Sequence, residues 1–294
     1  MTGVFQLESR VAQSTSRSLK PKRFEDIVAL VALIRPGPLG AGMHNEFADR
    51  ANNRKEIEYL HSDLESILNE TYGVILYQEQ VMQIAEKIAG FNLQEADNLR
   101  VAMGKKIPKV MEEQRKKFTD GAVSNNYSEQ FAIELFDQIA YFAGYGFNKS
   151  HSVPYALLAY QTAYLKANYP AEYIAACLTA VKRDKDRTAI FLSEARDMGV
   201  KVSTPDVNLS SSDFTVNDNE ILFGLSAVRN VGDITADKIV FERESNGDFK
   251  SIEEFLSRID SRSLNKRGVE ALIQGGGLDK FGHTRKGCLL YTSD

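Results

Sequence analysis

The chain has 294 residues, of which 43% are hydrophobic, and its formal net charge is −4. This length allows one or two domains with a substantial core, and so mild a charge excludes a disordered or highly charged chain. A chain with net negative charge is not expected to bind nucleic acid through its overall charge, so any such site must come from local basic residues.

The two cysteines, Cys177 and Cys288, lie far apart and have no neighbouring Cys or His. This spacing argues against a disulfide framework and a zinc site, and it fits a reducing compartment. The longest strongly apolar run is eight residues long, at 27–34, whereas a membrane span needs about twenty. No secretory signal opens the chain. These features predict a cytoplasmic protein without membrane contact.

Up to about residue 183 the pattern predicts helices. Apolar residues recur at spacings of four, three and four over residues 77–88, which predicts an amphipathic helix closed by Gly90. Asn92 followed three residues later by Glu95 predicts a capping box at the next helix. Further helices are predicted to begin at Pro108, near Ser128, at Tyr155 and at Pro170.

The character of the sequence changes after about Arg187. A short helix ends at Gly199, an extended segment follows, and Asn217-Asp218-Asn219 between two apolar triplets predicts a β-hairpin. Short helices with glycine-rich breaks continue from there. We therefore expect a mainly α fold with a small β-hairpin element, with a helical domain at 1–185 and a second domain at 186–285.

The first candidate site is Arg35-Pro36-Gly37-Pro38, which directly follows the apolar run. Two prolines around a glycine predict a rigid, non-helical turn. Such a turn would hold the Arg35 guanidinium in a fixed place, where its planar fork suits phosphate. A plain loop arginine explains the same residues.

The second candidate site is the segment 100–117, which holds seven basic residues against two glutamates. Arg100 opens it, and Lys105 and Lys106 lie in the break between two predicted helices, where ammonium groups and helix-start amides attract phosphate. A solvated charged face explains the segment equally well.

The third candidate site is the segment 144–152, which combines glycines and small donors with Lys149 and His151 at a predicted helix start. These groups can form an anion pocket. The alternative is that His151 is a capping or core histidine, and that the tyrosines of the following helix belong to the core.

The fourth candidate site, at 225–239, has the pattern of a helix-hairpin-helix motif. It contains Arg229 and Asn230, and a tight turn is predicted at Val231-Gly232. Backbone amides around Gly232 would face a backbone phosphate and bind it without sequence preference. A weaker second copy runs over 264–276 and contains Lys266 and Gly275. A generic helical hairpin is the alternative.

Taken together, these segments resemble the alpha subunits of bacterial DNA polymerase III, the C family of replicative DNA polymerases. The resemblance covers residue 3 to about residue 283. It rests on five segments in the family's order, which are GVFQLES at 3–9, ALVALIRPGPL at 29–39, YGVILYQEQ at 72–80, AMGKK at 102–106 and FAGYGFNKSHS at 142–152.

The resemblance implies a polymerase fingers domain at 1–185, followed by a tandem helix-hairpin-helix DNA-binding region at 186–285. In the family the fingers grip the incoming deoxynucleoside triphosphate and the template, and the hairpins hold the product duplex. The nucleotide-binding candidates are Arg35, Tyr77, Lys149 and His151. The DNA-binding candidates are Arg100, Lys105, Lys106, Arg229, Asn230, Gly232, Lys266 and Gly275.

The implied reaction is DNA-directed DNA polymerisation, in which a primer 3′-hydroxyl attacks the alpha-phosphate of the nucleotide with the help of Mg²⁺. In the family the palm carboxylates that hold the metal come earlier in the chain, so we expect this segment alone to be inactive. A sliding clamp and other replicase subunits are expected to bind outside it. Two alternatives remain, a stand-alone duplex-binding module built on the hairpins and a purely structural interaction protein.

Three features depart from the family pattern. Residues 11–18 are polar and serine-rich where the family has a helix with leucines, which argues against a helix there. Val101 follows Arg100 where the family tends to have paired arginines. The last residues, 286–294, match nothing in the family and suggest a non-native tail.

Overall fold

The computed structural model describes residues 1–105, 107–143 and 146–291. Over these ranges the architecture is mainly α-helical with a small antiparallel hairpin, which confirms the expected fold class. Internal contacts divide the chain into two compact units. The first is formed by Met1 and Gly3–Thr162, and the second by Thr2 and the residues from Ala163 onward.

The first unit contains helices α1 to α10, of which the last continues past Thr162. Their bounds are α1 (Arg10–Leu19), α2 (Phe24–Leu33), α3 (Pro36–Gly40), α4 (Met43–Ala51), α5 (Glu65–Leu68), α6 (Gln78–Ala89), α7 (Leu93–Lys105), α8 (Pro108–Ser124), α9 (Glu129–Ala143) and α10 (Lys149–Asn168). Short 3₁₀ turns at Ser62–Leu64 and Asn69–Thr71 flank α5.

Two hydrophobic clusters form the interior of this unit. One is built from α5 to α9, with Ile84, Phe118 and Leu135 completely buried. The other joins α2 and α4, through Leu30 and Phe47, to the segment that precedes α6. Helix α6 contributes the apolar stripe that the sequence predicts, so its polar residues are left on the outer face.

Most of the predicted ends of these helices are confirmed, but α10 begins at Lys149 and not at Tyr155. Helix α6 stops at Gly90, whose φ of 67° lies in the left-handed region that glycine adopts without strain. The amide of Asn92 donates to Glu95 Oε2 and the amide of Glu95 donates to Asn92 Oδ1, both at 3.0 Å. This reciprocal pair is the predicted capping box. Pro108 is the first residue of α8, where its missing N–H leaves no helical bond unmade.

The serine-rich segment near the start of the chain is helical, so the prediction against a helix there is wrong. The Ser9 hydroxyl accepts a hydrogen bond from the amide of Ala12 at 3.1 Å and caps α1. Thr15 and Ser16 are buried, which small side chains permit where another helix approaches closely. At the other end, Asn52 Nδ2 donates to the carbonyl of Leu19 at 2.8 Å and satisfies one of the last carbonyls of the helix.

The Pro-Gly-Pro segment forms the short helix α3, so the predicted non-helical turn is also wrong. Arg35 is extended, with φ −144° and ψ 151°, and acts as the N-cap. Pro36 occupies the first helical position, for which its fixed φ is suited. Arg35 therefore keeps a defined place, although a helix start rather than a rigid loop provides it.

The second unit contains shorter elements. Their bounds are α11 (Pro170–Val181), α12 (Lys185–Asp197), β1 (Thr215–Asn217), β2 (Glu220–Leu222), α13 (Asp233–Asn246), α14 (Ile252–Arg258), α15 (Lys266–Gly275) and α16 (Arg285–Tyr291), with 3₁₀ turns at Leu225–Ala227 and Asp279–Phe281. Asn217 pairs with Glu220 across the predicted hairpin. Asp218 and Asn219 have φ values of 49° and 63°, as a two-residue hairpin turn of this hand requires.

Two clusters also form the interior of the second unit. Helices α11 and α12 pack against the hairpin, with Leu178 and Ile221 completely buried. The helices from α13 to α16 enclose Phe255, Leu272 and Cys288. Helix α11 packs on β1 and β2 within the second unit. The domain boundary at 185 stays a prediction.

None of the helices in the described ranges is long and apolar enough to cross a membrane. Cys177 and Cys288 form no disulfide within those ranges. Cys288 lies in α16, inside the segment assigned to a non-native tail, and its side chain is buried. The origin of that tail and the cytoplasmic location of the protein stay predictions.

Gly121→Ala is expected to lower the free energy of unfolding. A Cβ atom at Gly121 would lie 2.2 Å from the carbonyl oxygen of Ala89 at the end of α6, so backbone would have to move. Overpacking of this kind costs about 1–3 kcal/mol, which urea unfolding can measure.

In the matched control, Gly104→Ala in α7, a Cβ meets nothing within 4 Å. The control should leave stability unchanged or raise it by up to about 1 kcal/mol. Equal stability of the two variants would contradict the close approach of α6 and α8.

Asp26 is expected to make stability depend on pH. Its buried carboxyl accepts hydrogen bonds from the amides of Lys22 and Arg23 at 2.9 and 3.2 Å and from the Tyr72 hydroxyl at 2.9 Å. Burial raises the pKa of Asp26, but these hydrogen bonds outweigh burial and hold the pKa below its ordinary value. Stability from Asp26 is therefore present above its unfolded pKa of about 4 and is lost as pH falls through the folded pKa.

The measurement is the Tm of the parent and of Asp26→Asn at several pH values between neutral and acid. The variant should melt lower at neutral pH, and the difference should shrink in acid as the parent carboxyl becomes protonated. Asp218→Asn, which removes a carboxyl from the exposed hairpin turn, is the control. A Tm difference that stays constant with pH would show that the charge of Asp26 does not stabilise the fold.

Candidate nucleic-acid and nucleotide sites

The first predicted hairpin turn links the 3₁₀ turn Leu225–Ala227 to α13. Val228 and Val231 are buried and anchor it, while Arg229 and Asn230 between them are exposed. The amide of Val231 donates to the carbonyl of Val228 at 3.0 Å and closes the turn. Gly232 follows as the N-cap of α13.

The left-handed residue of this turn is Asn230, with φ 63°, and not Gly232. Gly232 has φ −84°, which any residue can adopt, and a Cβ there would meet nothing within 4 Å. The expectation that Gly232 makes the tight turn possible is therefore wrong. Because glycine has no side chain, the start of α13 is left uncovered. Within the described residues the amides of Gly232, Asp233 and Ile234 donate to no acceptor, as is usual at a helix N-terminus.

The second turn, between α14 and α15, lies against the first. Asn265 is the N-cap of α15, and its Oδ1 accepts from the amide of Gly268 at 3.0 Å. A Cβ at Gly268 would lie 3.2 Å from the carbonyl oxygen of Asn230. The Thr235 hydroxyl donates to the carbonyl of Ser263 at 2.6 Å. The starts of α13 and α15 are therefore neighbours, and two sets of helix-start amides lie side by side.

Two residues predicted for the second copy occupy opposite ends of α15. Lys266 is the first residue of this helix and is exposed. Gly275 is the last of its ten residues, about 15 Å along the axis from the start. The turn between α14 and α15 is therefore centred on residues 263–265 and does not contain Gly275.

Gly275 instead shares a groove of about 800 Å³ with Arg229 and Asn230. The groove lies between α12, the extended segment 200–205, the first turn and α15. Its charged lining residues are mostly basic, namely Arg196, Lys201, Arg229 and Arg267 against Glu270. Sequence reasoning missed Arg196 and Arg267, because nothing in their local pattern shows that α12 and α15 face the same groove.

Lys182, which directly follows α11, was also not predicted as a functional residue. Its side chain forms hydrogen bonds to both ends of the first turn. Its ammonium donates to Ser226 Oγ at 2.9 Å, before the turn, and to Asp233 Oδ1 at 2.5 Å, after it. A third bond joins it to Asp213 Oδ1 at 2.5 Å. Arg183 binds the second oxygen of Asp233. These partners lie 31 to 51 residues from Lys182 in sequence, so no local signal predicts them.

The four nucleotide-binding candidates gather in the first unit around Phe147, a residue that the sequence did not single out. The guanidinium carbon of Arg35 lies 4.1 Å from the centre of the Phe147 ring, a cation–π contact. The His151 ring contacts the same ring edge-on at 5.5 Å. Phe147 itself is fixed by backbone hydrogen bonds to both neighbours of Tyr77, with its amide donating to Leu76 and its carbonyl accepting from Gln78.

Arg35 is exposed, and within the described residues its guanidinium forms no hydrogen bond or ion pair. Glu79 does not pair with Arg35; both of its oxygens accept from the amide of Lys149 at 3.0 Å. The Lys149 ammonium binds Glu70 Oε2 at 2.7 Å. Arg35 thus offers phosphate an uncompensated charge, whereas Lys149 is already paired.

Tyr77 is 1% exposed and lies beneath this surface. Its hydroxyl is buried without a hydrogen-bond partner in the described residues, and one oxygen of Glu70 is in the same state. Burial raises the pKa of Tyr77, and the nearby carboxylates of Glu70 and Glu79 raise it further, so the phenol stays protonated. The ammonium of Lys149 lies 5.7 Å from the centre of its ring.

The basic segment 100–117 begins within α7 and ends within α8, and of its residues Lys106 lies outside the described ranges. Arg100 binds Asp97 Oδ1 through Nε at 2.8 Å and Gln78 Oε1 through a terminal nitrogen at 3.4 Å. Lys105 is exposed at the end of α7. Arg100 and Lys105 line a small cavity of about 240 Å³ together with Gly146.

No group of three or more His, Cys, Asp or Glu side chains in the described ranges is placed to hold a metal ion. Three aspartates near the β-hairpin, Asp206, Asp213 and Asp218, have structural roles. Asp206 accepts from the amide of Asn208 at 2.8 Å, Asp213 binds Lys182, and Asp218 occupies the β-turn. The location of Mg²⁺ ligands elsewhere in a longer protein stays a prediction.

Comparison with known proteins places these features in one family. Residues 1–126 match the bacterial DNA polymerase III alpha subunit finger domain, and residues 199–288 match the helix-hairpin-helix motif. The DNA polymerase III subunit alpha of Mycobacterium tuberculosis is 46% identical over 99% of this chain and 25% of its own length. The Thermus aquaticus protein of the same name is 49% identical over 95% of this chain and 23% of its own length.

A third relative, the DNA polymerase III subunit alpha of Vibrio cholerae, is 46% identical over the whole of this chain and 26% of its own length. The chain thus spans about a quarter of the curated relatives that it matches. The order of the matches, a finger domain and then helix-hairpin-helix, is the order expected from the sequence. The chain belongs to the family of bacterial DNA polymerase III alpha subunits.

Proposed function

We propose that this chain supplies duplex contacts and part of the nucleotide site to a DNA-directed DNA polymerase of bacterial replication. Its relatives are named as the alpha subunit of DNA polymerase III, which supports the activity of the longer protein. The observation that carries the part played by this chain is the pair of neighbouring helix starts at Gly232 and Asn265.

Paired helix starts suit the backbone of a DNA duplex. Unpaired amides at a helix N-terminus bind phosphate oxygens, and the partial positive charge of the helix end adds to the attraction. Contacts of this kind carry no sequence information. Arg229, which is exposed beside the first turn, adds a positive charge to the same surface. Lys266 at the start of α15 adds a second.

The surface around Phe147 is the proposed nucleotide site. The Phe147 ring stacks on the Arg35 guanidinium and so orients it without neutralising it. Arg35 can therefore bind two phosphate oxygens of a triphosphate with its planar fork. A phosphate that reached Lys149 would first have to displace Glu70, so Arg35 is the stronger candidate of the two.

In the proposed reaction the primer hydroxyl attacks the alpha-phosphate and pyrophosphate leaves. Mg²⁺ bound elsewhere in the longer protein would stabilise the charge on the reacting oxygens. The residues of this chain would bind and orient the triphosphate and the duplex. The expected inactivity of this segment alone and the binding of a sliding clamp outside it stay predictions.

The second candidate function, a stand-alone duplex-binding module, uses the same hairpins without a nucleotide site. The exposed guanidinium of Arg35, which has no hydrogen-bond or ion-pair partner within the described residues, disfavours it, since a scaffold would not need to keep that charge without a partner. The two candidates differ in whether variants around Phe147 affect nucleotide use.

Gly232→Val tests the duplex contact. The backbone at Gly232 accepts valine, and a Cβ there meets nothing within 4 Å in the described residues, so the fold should persist. The side chain would stand between the start of α13 and a phosphate. A hydrogen bond to a charged group contributes about 1.5–3 kcal/mol, so duplex affinity should fall roughly ten- to hundredfold.

The measurement is duplex affinity by fluorescence anisotropy at several salt concentrations, with the Tm recorded for each variant. The control is Gly40→Val in α3, where a Cβ also meets nothing within 4 Å. Parent binding should weaken steeply with salt and be indifferent to sequence. A folded Gly232→Val variant that binds duplex as well as the parent would rule out the hairpin as the contact.

Arg35→Ala tests the nucleotide contact, in a full-length polymerase that carries this segment. Nucleotide incorporation efficiency should fall roughly ten- to hundredfold because a charge-assisted contact of about 1.5–3 kcal/mol is lost. Duplex affinity should change little. Arg35→Lys should recover only part of the loss, because an ammonium cannot reproduce the bidentate fork.

Single-nucleotide incorporation, duplex affinity and Tm are measured on the same preparations. Arg54→Ala, which removes an exposed arginine paired with Asp49, controls for the loss of one positive charge. If Arg35 serves only to pack on Phe147, the Arg35→Ala enzyme will melt lower and lose both activities together. Normal incorporation by a well-folded Arg35→Ala enzyme would remove Arg35 from the nucleotide site.

A further inference from the structure

All the hydrogen-bond donors of the Lys182 side chain are in use. An ammonium group has three N–H donors, and in Lys182 they go to Asp213, Ser226 and Asp233 at 2.5, 2.9 and 2.5 Å. The side chain is only 16% exposed. Lys182 therefore has no donor left for a phosphate unless it gives up one of these bonds.

Asp233 is the partner that matters for DNA. It is the first residue of α13 and follows Gly232 directly, so its carboxylate stands at the helix start proposed to receive a phosphate. Its side chain is 38% exposed. Hydrogen bonds from Lys182 and then Arg183 hold the pKa of Asp233 below its ordinary value, so the group is charged at neutral pH. An uncompensated charge at this place would repel DNA.

The other two bonds fix the shape of the turn. Ser226 lies in the 3₁₀ turn before the hairpin and Asp233 lies at the helix start after it, so Lys182 connects both sides of the five residues between Ala227 and Asp233. The Ser226 hydroxyl also donates to the carbonyl of Ser212 at 2.8 Å. The two ends of the turn are thus both bonded to Lys182, which is not part of the turn.

We propose that Lys182 is a positioning residue of the duplex-binding hairpin, which neutralises Asp233 and holds the turn so that its amides can meet a phosphate. This inference rests on the proposed duplex binding by this unit. It assigns a part in DNA affinity to Lys182, which directly follows α11.

The test is a double-mutant cycle on duplex binding by the complete chain. Lys182→Met should bind duplex about three- to tenfold more weakly at low salt, since Arg183 alone is then left to balance the carboxylates of Asp213 and Asp233. Asp233→Asn alone should bind at least as well as the parent. The double variant Lys182→Met with Asp233→Asn should recover most of the loss, because the repelling charge has gone. The loss in Lys182→Met should also shrink as salt screens the charges.

Two controls separate this role from rival ones. Lys280→Met removes an exposed lysine paired with Asp206 and should bind duplex nearly as the parent does. Lys182→Arg keeps the charge and several donors and should retain most of the affinity. A direct phosphate contact by Lys182 predicts instead that Asp233→Asn gives no recovery, and this result would overturn the proposal. Weaker binding by Asp233→Asn alone would overturn it as well.

A readout without DNA keeps this inference apart from the proposed function. Backbone order parameters from NMR should fall at Asn230 and Val231 in Lys182→Met and stay unchanged in Lys280→Met. If the parent bound no duplex at any salt concentration, the proposed function would fail. The order parameters would still show whether Lys182 holds the turn. Unchanged order parameters in Lys182→Met would overturn the positioning role itself.

Discussion

The close approach of two turns in the second unit brings the starts of α13 and α15 together. Gly268, near the start of α15, lies so near the carbonyl of Asn230 that a Cβ would be 3.2 Å away and would also press on Leu264 at 2.7 Å. A larger residue would push the turns apart. Because they touch, the starts of α13 and α15 lie side by side, and helix starts of this kind suit a phosphate backbone.

In the first unit a backbone pairing shapes the candidate nucleotide site. A backbone pair between Phe147 and the neighbours of Tyr77 joins segments that are about seventy residues apart in sequence. The same segment places Phe147 beneath Arg35 and places Lys149 over Tyr77. A charged surface is thereby built on the partly buried ring of Phe147 and the buried ring of Tyr77. Within the described residues its one unpaired guanidinium is that of Arg35, which the resemblance assigns to the triphosphate.

At several places where partners lie within a few residues, the local structure was predicted correctly from the sequence. The stripe of α6, the capping box of Asn92 and Glu95 and the β-turn at Asp218 all depend on neighbours in sequence and were predicted correctly. Helix α1 was missed because its buried face uses Thr15 and Ser16, residues that a hydrophobic pattern counts as polar. Tertiary packing decides such cases against propensity.

The candidate sites show the same limit. The residue types around Arg35 and Gly232 predicted phosphate binding, but the left-handed position of the hairpin turned out to be Asn230, because glycine at a turn does not always carry the positive φ. Phe147, Arg267 and Lys182 became visible only through contacts that are distant in sequence. Their roles follow from geometry that no single-sequence pattern contains.

Amide hydrogen exchange of the 294-residue chain, with and without a DNA duplex, tests the central claim most directly. If the neighbouring helix starts bind the phosphate backbone, exchange should slow at residues 228–235 and 263–268 with any duplex sequence. The protection should disappear at high salt. Duplex binding that leaves exchange at both turns unchanged, or that protects only the first unit, would contradict the claim.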